Sequence, residues 1–190
     1  MTRAFSLSLR GLFLLALLAV LPLASAGAQQ RQQQPVASPR DTARMRIGGG
    51  QVYVDYGRPS ARGRKIVGGL VPYGQVWRTG ANAATTLVTD VDLRIGGVDV
   101  PRGRYTLYTL PTAQRWLLVV NRQTGQWGTV YDASRDLARI PMRVSRTRAP
   151  VEKFAISLSP GTGGQGELAL EWENTRATVP VAVRAAPRRR

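Results

Sequence analysis

The chain has 190 residues, 43% of them hydrophobic and 20% charged, and its formal net charge is +16. This composition predicts one modest globular domain with appended segments. The sequence contains neither cysteine nor histidine. Their lack excludes disulfides, thiolate nucleophiles, iron–sulfur clusters, cysteine-ligated zinc and the usual general base of enzymes at neutral pH. We therefore expect no metal site and no cofactor.

Arginine supplies almost all of the positive charge. Of 27 basic residues, only Lys65 and Lys153 are lysines. Arginine dominance together with many alanine, glycine and proline residues is typical of a GC-rich genome, and we favour this explanation over a dedicated polyanion site. The charge still predicts adhesion to phosphates and acidic glycans at low salt.

Residues 1–28 have the pattern of a secretory signal peptide. Arg3 and Arg10 flank its start, and an apolar run at 12–23 is too short to span a membrane comfortably. Small residues at 24–28 offer cleavage sites. We therefore expect an exported protein, periplasmic or extracellular, with no membrane span after signal removal and no specific nucleic-acid partner.

The rest of the chain divides by composition. Residues 29–44 are rich in glutamine and proline and predict a flexible linker. Residues 45–185 predict the folded domain, and residues 186–190 form a basic tail.

The folded part has the periodicity of β-strands. Apolar and polar residues alternate at 51–56, which is typical of a strand with one buried face. Gly96 and Gly97 predict a tight hairpin turn, and the run at 115–121, apolar on both faces, predicts a central strand. Pro180 predicts an edge position for the last strand. Further strand-like runs lie at 91–95, 98–100, 105–110, 140–144, 154–158, 168–172 and 179–183, and one helical turn is predicted at 132–137.

Nine or ten short strands without a long amphipathic helix predict an all-β fold. The most fitting architecture is a single antiparallel β-sandwich or jelly-roll-like domain with one long irregular loop.

That loop lies at 56–86 and carries planar cations and aromatic rings among many glycines. Such loops are more often involved in recognition than plain connectors are. Its candidate ligand-binding residues are Arg58, Arg64, Tyr73, Trp77, Arg78 and Asn82. Two interpretations are open. Either the polar side chains fasten the loop by bonding backbone carbonyls or a buried Asp while the aromatic rings cap the core, or they converge on an open concavity that binds an anion or a sugar ring.

The loop motifs resemble one family. The motifs are YGRPS at 56–60, GRKIVG at 63–68, LVPYG at 70–74, VWRTGAN at 76–82, GRYTLY at 103–108 and QWG at 126–128. Together they resemble the secreted bacterial family catalogued as domain of unknown function 2911, over residues 45–183. The resemblance implies a small exported β domain and carries no established activity, substrate or catalytic residue.

Three functions agree with these features. We favour a non-catalytic envelope domain whose 56–86 loop binds an anionic or carbohydrate ligand. The first alternative is a carboxylate-based polysaccharide hydrolase or lyase, for which Asp55 and Asp132 are the nearest candidates and need raised pKa values. The second is a structural protein that docks onto another envelope component through an edge strand or its basic faces. Trp127, beside a glycine, is a further candidate for lining a site.

Overall fold

The computed structural model describes residues 37–185, which form one antiparallel sheet of nine strands in the order β1-β2-β3-β6-β7-β8-β9-β4-β5. The strands are β1 (Arg40–Ile47), β2 (Gly50–Gly57), β3 (Thr86–Thr89), β4 (Leu93–Ile95), β5 (Val98–Val100), β6 (Gly103–Pro111), β7 (Trp116–Asn121), β8 (Asp136–Pro160) and β9 (Gln165–Val183). In this part of the chain the one helical element is a 3₁₀ turn, Ala133–Arg135. The predicted all-β class is confirmed, as are the central strand β7 and the Gly96-Gly97 hairpin. The predicted signal peptide and basic tail lie outside the described residues.

Strand β1 begins earlier than the sequence pattern indicates. Its first residues fall in the segment 29–44, for which the composition predicts a linker, yet Arg40 pairs in register with Gly57 of β2. Arg40 also forms an ion pair with Asp55. Polar residues without apolar periodicity can join a sheet when the backbone ladder and cross-strand charges hold them.

Strands β8 and β9 are long because each joins two runs that the periodicity presents as separate strands. The first part of β8 pairs with β7, and the remainder pairs with β9, with register shifts between Arg146, Val151 and Ala155. Such irregularities bend a strand, so the sheet turns a corner here and encloses the core. In β9 the bend coincides with Glu173, whose φ is +53°.

The expectation that Pro180 lies in an edge strand is wrong. Strand β9 lies between β8 and β4. The β8–β9 ladder reaches only as far as Thr178, opposite Arg143, so no ladder donor is needed from position 180 on that side. On the other side the Pro180 carbonyl accepts a 2.9 Å hydrogen bond from Gly96 N, which proline can provide as well as any residue.

Aromatic side chains fill the part of the core that lies under the 56–86 loop. The ring of Phe154 is 1% exposed and lies 5.7 Å from Tyr56, 5.0 Å from Trp77 and 5.7 Å from Trp172, measured between centroids. The indoles of Trp77 and Trp172 are stacked at 5.6 Å with 22° between their planes. Trp77 is therefore an anchor that fixes the loop to the core.

The loop is also fastened through its backbone. Trp77 N donates to Thr109 O at 2.7 Å and Thr109 N donates back at 2.9 Å, so the segment around Trp77 runs as a short extra strand beside β6. Farther along, Ala83 forms a bridge with Trp127. The loop buries apolar residues of its own, including Ile66 at 1% exposure.

In residues 37–185 the structure contains no helix with the length and apolarity that crossing a membrane demands.

We expect Phe154→Ala to lower the free energy of unfolding by about 3–5 kcal/mol, because it opens a cavity among rings that cannot close over it. Urea denaturation of the purified protein measures this. The matched control is Val144→Ala, since Val144 is 44% exposed and should change stability by no more than about 0.5 kcal/mol. Similar small effects for both variants would contradict the placement of Phe154.

Candidate functional site

The side chains of Arg58 and Asn82 lie against the start of β1. Arg58 donates from Nε to Phe154 O at 3.1 Å and from Nη1 to Asp41 Oδ2 at 3.3 Å. Asn82, which has a φ of +63°, donates from Nδ2 to Ser38 O at 3.5 Å. Arg58 thus ties the loop to β1 and to β8, and Asn82 ties it to the residues just before β1.

Arg64 and Tyr73 lie in two other places. Arg64 donates from Nε to Ala61 O at 2.9 Å and from Nη2 to Ser60 O at 2.8 Å, so its guanidinium closes a turn of its own loop. The ring of Tyr73 packs against Gly68 and is 49% exposed. The structure therefore does not gather the six predicted residues into one group.

Trp77 and Arg78 are the two predicted residues that line one cavity together. It has a volume of about 210 Å³. Its lining residues are Val76, Trp77, Arg78, Tyr108, Gly128, Thr129 and Tyr131. Among these seven, Arg78 is the one charged side chain.

Neighbouring backbone holds Arg78 in the wall of this cavity. Arg78 Nε donates to Gly80 O at 3.2 Å. Gly128 N donates to Asn82 O at 2.9 Å, and this brings residue 128 against the aliphatic part of Arg78. A Cβ at Gly128 would lie 2.7 Å from Asn82 O and 2.9 Å from Arg78 Cδ, so glycine is required for this close approach.

Two tyrosines that sequence reasoning missed also line the cavity. Tyr108 of β6 and Tyr131 meet edge to face, with centroids 4.9 Å apart and planes at 67°. Tyr108 OH donates to Val130 O at 2.6 Å and accepts from Gln126 Nε2 at 3.0 Å. The sequence signal that could have identified Tyr108 and its partner Gln126 is their place in the family-like motifs at 103–108 and 126–128.

Tyr131 is held by a charged network. Its hydroxyl donates to Asp136 Oδ2 at 2.6 Å and accepts from Arg139 Nη2 at 3.0 Å. Arg139 Nε also donates to Asp136 Oδ2, at 2.9 Å, and Asn121 Nδ2 donates to Asp136 Oδ1, at 2.9 Å. The Asp136 side chain is 11% exposed. The network thus fixes the Tyr131 ring against the cavity.

The tyrosines of the cavity are unsuited to act as general bases. Burial is the main cause that raises the pKa of Tyr108 and of Tyr131 above the ordinary value of 10.0. Both hydroxyls therefore remain protonated at neutral pH.

The two carboxylates considered for catalysis lie elsewhere. Asp132 caps the 3₁₀ turn, and hydrogen bonds from Ser134 lower the pKa of Asp132. A lowered value is the opposite of what the hydrolase hypothesis requires. Asp55 pairs with Arg40 between β1 and β2. Neither residue lines the cavity beside Arg78.

Over residues 37–185, no group of three or more metal-ligating side chains is arranged to hold a metal ion. Trp127, the further candidate from the sequence, is 55% exposed and lies next to Gly128 of the cavity wall.

Comparison with known proteins identifies one family. The model of a family described as a protein of unknown function (DUF2911) matches residues 38–181, which confirms the resemblance seen in the loop motifs. No curated protein and no solved structure matches the chain.

We expect Asp136→Asn to lower the free energy of unfolding by about 1–3 kcal/mol, because an amide nitrogen there would face groups that need an acceptor. Thermal or urea unfolding measures the loss. Asp99→Asn is the control, since Asp99 makes exposed ion pairs with Arg94 and Arg184, and should have no measurable effect. An unchanged unfolding curve for Asp136→Asn would show that the network does not hold Tyr131.

Stability should fall as the pH rises above about 10. Burial raises the pKa values of Tyr56, Tyr105, Tyr108 and Tyr131. Because the folded state holds these protons more tightly, the contribution is complete below the unfolded pKa and is lost as the pH passes the folded values. Melting temperatures between pH 7 and 11 measure this. Tyr131→Phe should make the decline shallower; a slope equal to that of wild type would contradict the assignment.

Proposed function

The chain belongs to the DUF2911 family, whose description assigns no function, and we propose from its site that it is a non-catalytic binding domain for a small anionic or sugar ligand. The ligand lies in the cavity that Arg78 lines together with Tyr108, Thr129 and Tyr131. The observation that carries this proposal is that the guanidinium-bearing Arg78 of the predicted recognition loop lines one cavity together with Tyr108 and Tyr131. Aromatic walls with one planar cation suit a ring that bears an anionic or polar group.

The size of the cavity limits the ligand. A volume of about 210 Å³ is below the range of about 300–1,000 Å³ that holds drug-sized ligands. A single ring or a small anion fits this space. Beside the cavity, Trp127 and Val130 are 55% and 50% exposed, and their apolar surface can contact a part of the ligand that extends beyond it.

The chemistry of the walls favours binding over catalysis. The lining residues include no carboxylate, and the two tyrosine hydroxyls donate to protein acceptors. A hydrolase or lyase would need a group here that can take up a proton.

We also propose that the protein works outside the cytoplasm, in the periplasm or the medium. This part of the proposal is supported by the signal-like residues 1–28. An aqueous, glycan-rich compartment would supply both small anions and sugars as ligands.

A second candidate function, docking onto an acidic component of the envelope, is favoured by the bend of β8. Arg146 and Arg148 are exposed beside a depression of about 610 Å³, and Arg143 lies beside an adjoining one of about 720 Å³. Binding of this kind would be lost in high salt, because exposed charges are screened.

We expect a thermal-shift screen of small anions and monosaccharides to raise the melting temperature of the protein, and Arg78→Gln to weaken the strongest hit about tenfold or more. Hydrogen bonds to a charged group typically contribute about 1.5–3 kcal/mol, which sets this scale. Arg44→Gln is the matched control, since Arg44 is exposed on β1 away from the cavity. A compound that binds wild type and Arg78→Gln with equal affinity would contradict the proposal that the ligand binds in the cavity beside Arg78.

A further inference from the structure

The bend of β8 and β9 makes a concave surface on the protein. Arg176 of β9 donates to Glu171 and, at 2.6 Å, to Glu167 of the same strand. A straight strand would place residues 167 and 176 about 30 Å apart, at roughly 3.3 Å per residue. Because side chains cannot bridge that distance, the contact requires that the two halves of β9 fold toward each other, with Arg176 between them.

Two depressions lie in this concavity, and Arg176 lines both of them. Their volumes are about 610 and 720 Å³, whereas the cavity beside Arg78 holds about 210 Å³. Each depression therefore has room for more than a single ring, and the two adjoin each other across the bend. An extended molecule that runs from one depression to the other fits this shape.

Arginine outnumbers carboxylate in the lining of the two depressions. The charged lining residues are Arg143, Arg146, Arg148, Arg176, Glu167 and Glu171. Arg176 forms ion pairs with both glutamates. The other three arginines are exposed, and their side chains form no ion pair and no hydrogen bond within residues 37–185. Their charges are therefore available to an anionic partner.

The shape and composition of the depressions argue against several kinds of polyanion. The lining contains no aromatic side chain, whereas single-stranded nucleic acid is held by cations together with rings on which its bases stack. It also contains none of the large exposed apolar side chains of the described chain, although protein interfaces have an apolar core. A flat membrane surface cannot follow a concave wall.

The lining also offers partners for hydroxyl groups. Ser145 and Thr178 line the larger depression, and neither hydroxyl has a hydrogen-bond partner within residues 37–185. Glu167 and Glu171 accept from Arg176 through Oε1, and their Oε2 atoms accept from no residue in that part of the chain. A partner that carries hydroxyls beside its negative charges can bond to both kinds of group. A chain of acidic amino acids brings no hydroxyls.

From these features we propose that the two depressions bind a linear acidic polysaccharide, whose negative groups meet Arg143, Arg146 and Arg148 across the bend. The inference rests on the second proposed function, docking onto an acidic component of the envelope, and names the chemical class of that component. It concerns a different surface from the cavity beside Arg78.

The test measures the binding of polygalacturonate to the full protein by calorimetry at low salt, beside its neutral methyl ester. We expect polygalacturonate to bind, the ester to bind far more weakly, and high salt to abolish binding. The triple variant Arg143→Gln, Arg146→Gln, Arg148→Gln should bind about tenfold or more weakly, because three exposed charge contacts, each weak alone, are lost together. The same three changes to lysine should keep most of the affinity, since lysine keeps the charge.

The matched control is the triple variant Arg44→Gln, Arg46→Gln, Arg104→Gln. It removes the same charge from exposed positions outside the two depressions, and it should bind polygalacturonate nearly as tightly as wild type. A loss as large as that of the first glutamine variant would show diffuse attraction to a basic protein and would overturn the proposal. A lysine variant that binds as weakly as the glutamine variant would also overturn it.

Polyglutamate and single-stranded DNA, compared at equal concentrations of negative charge, separate the proposal from the function on which it rests. We expect both to bind more weakly than polygalacturonate. Equal or stronger binding of either one overturns the saccharide assignment, and it leaves the docking function standing where the first glutamine variant weakens that binding. A glutamine variant that binds every probe as wild type does, or a wild type that binds none, overturns both.

Discussion

The segment 76–78 lies beside β6 because Trp77 and Thr109 exchange two backbone hydrogen bonds, of 2.7 and 2.9 Å. In extended backbone, successive side chains point to opposite sides. Trp77 can therefore stack on Trp172 in the core while Arg78 takes its place in the cavity wall. The cavity, the fixed cation and the buried anchor all follow from this one pairing.

The 56–86 loop divides its arginines between two tasks. Arg58 and Arg64 donate to the carbonyls of Phe154, Ala61 and Ser60, which is the fastening that a long glycine-rich loop requires. Arg78 keeps most of its donors. The two interpretations that the sequence left open thus apply to different residues of the same loop, and the fastening is what permits a single guanidinium to remain available at a defined position.

The sequence was informative where structure is set by neighbours along the chain. Alternation identified β2, a run apolar on both faces identified β7, and paired glycines identified the β4–β5 hairpin. The sequence was uninformative where the structure is determined by contacts between segments that are distant along the chain. The bend of β8 depends on register shifts against β9, and the polar start of β1 depends on pairing with β2. For the site, aromatic and cationic composition pointed to Trp77 and Arg78. It missed Tyr108 and Tyr131, which meet through tertiary packing.

Nitrogen-15 NMR of the arginine side chains, recorded while benzoate is titrated into the labelled protein, tests the account most directly. The account predicts that the guanidinium resonances of Arg78 shift in a saturable manner while those of Arg58 and Arg64, which donate to carbonyls of the fold, stay in place. Saturable shifts at Arg58 or Arg64, or weak shifts spread over the exposed arginines with Arg78 unchanged, would contradict it.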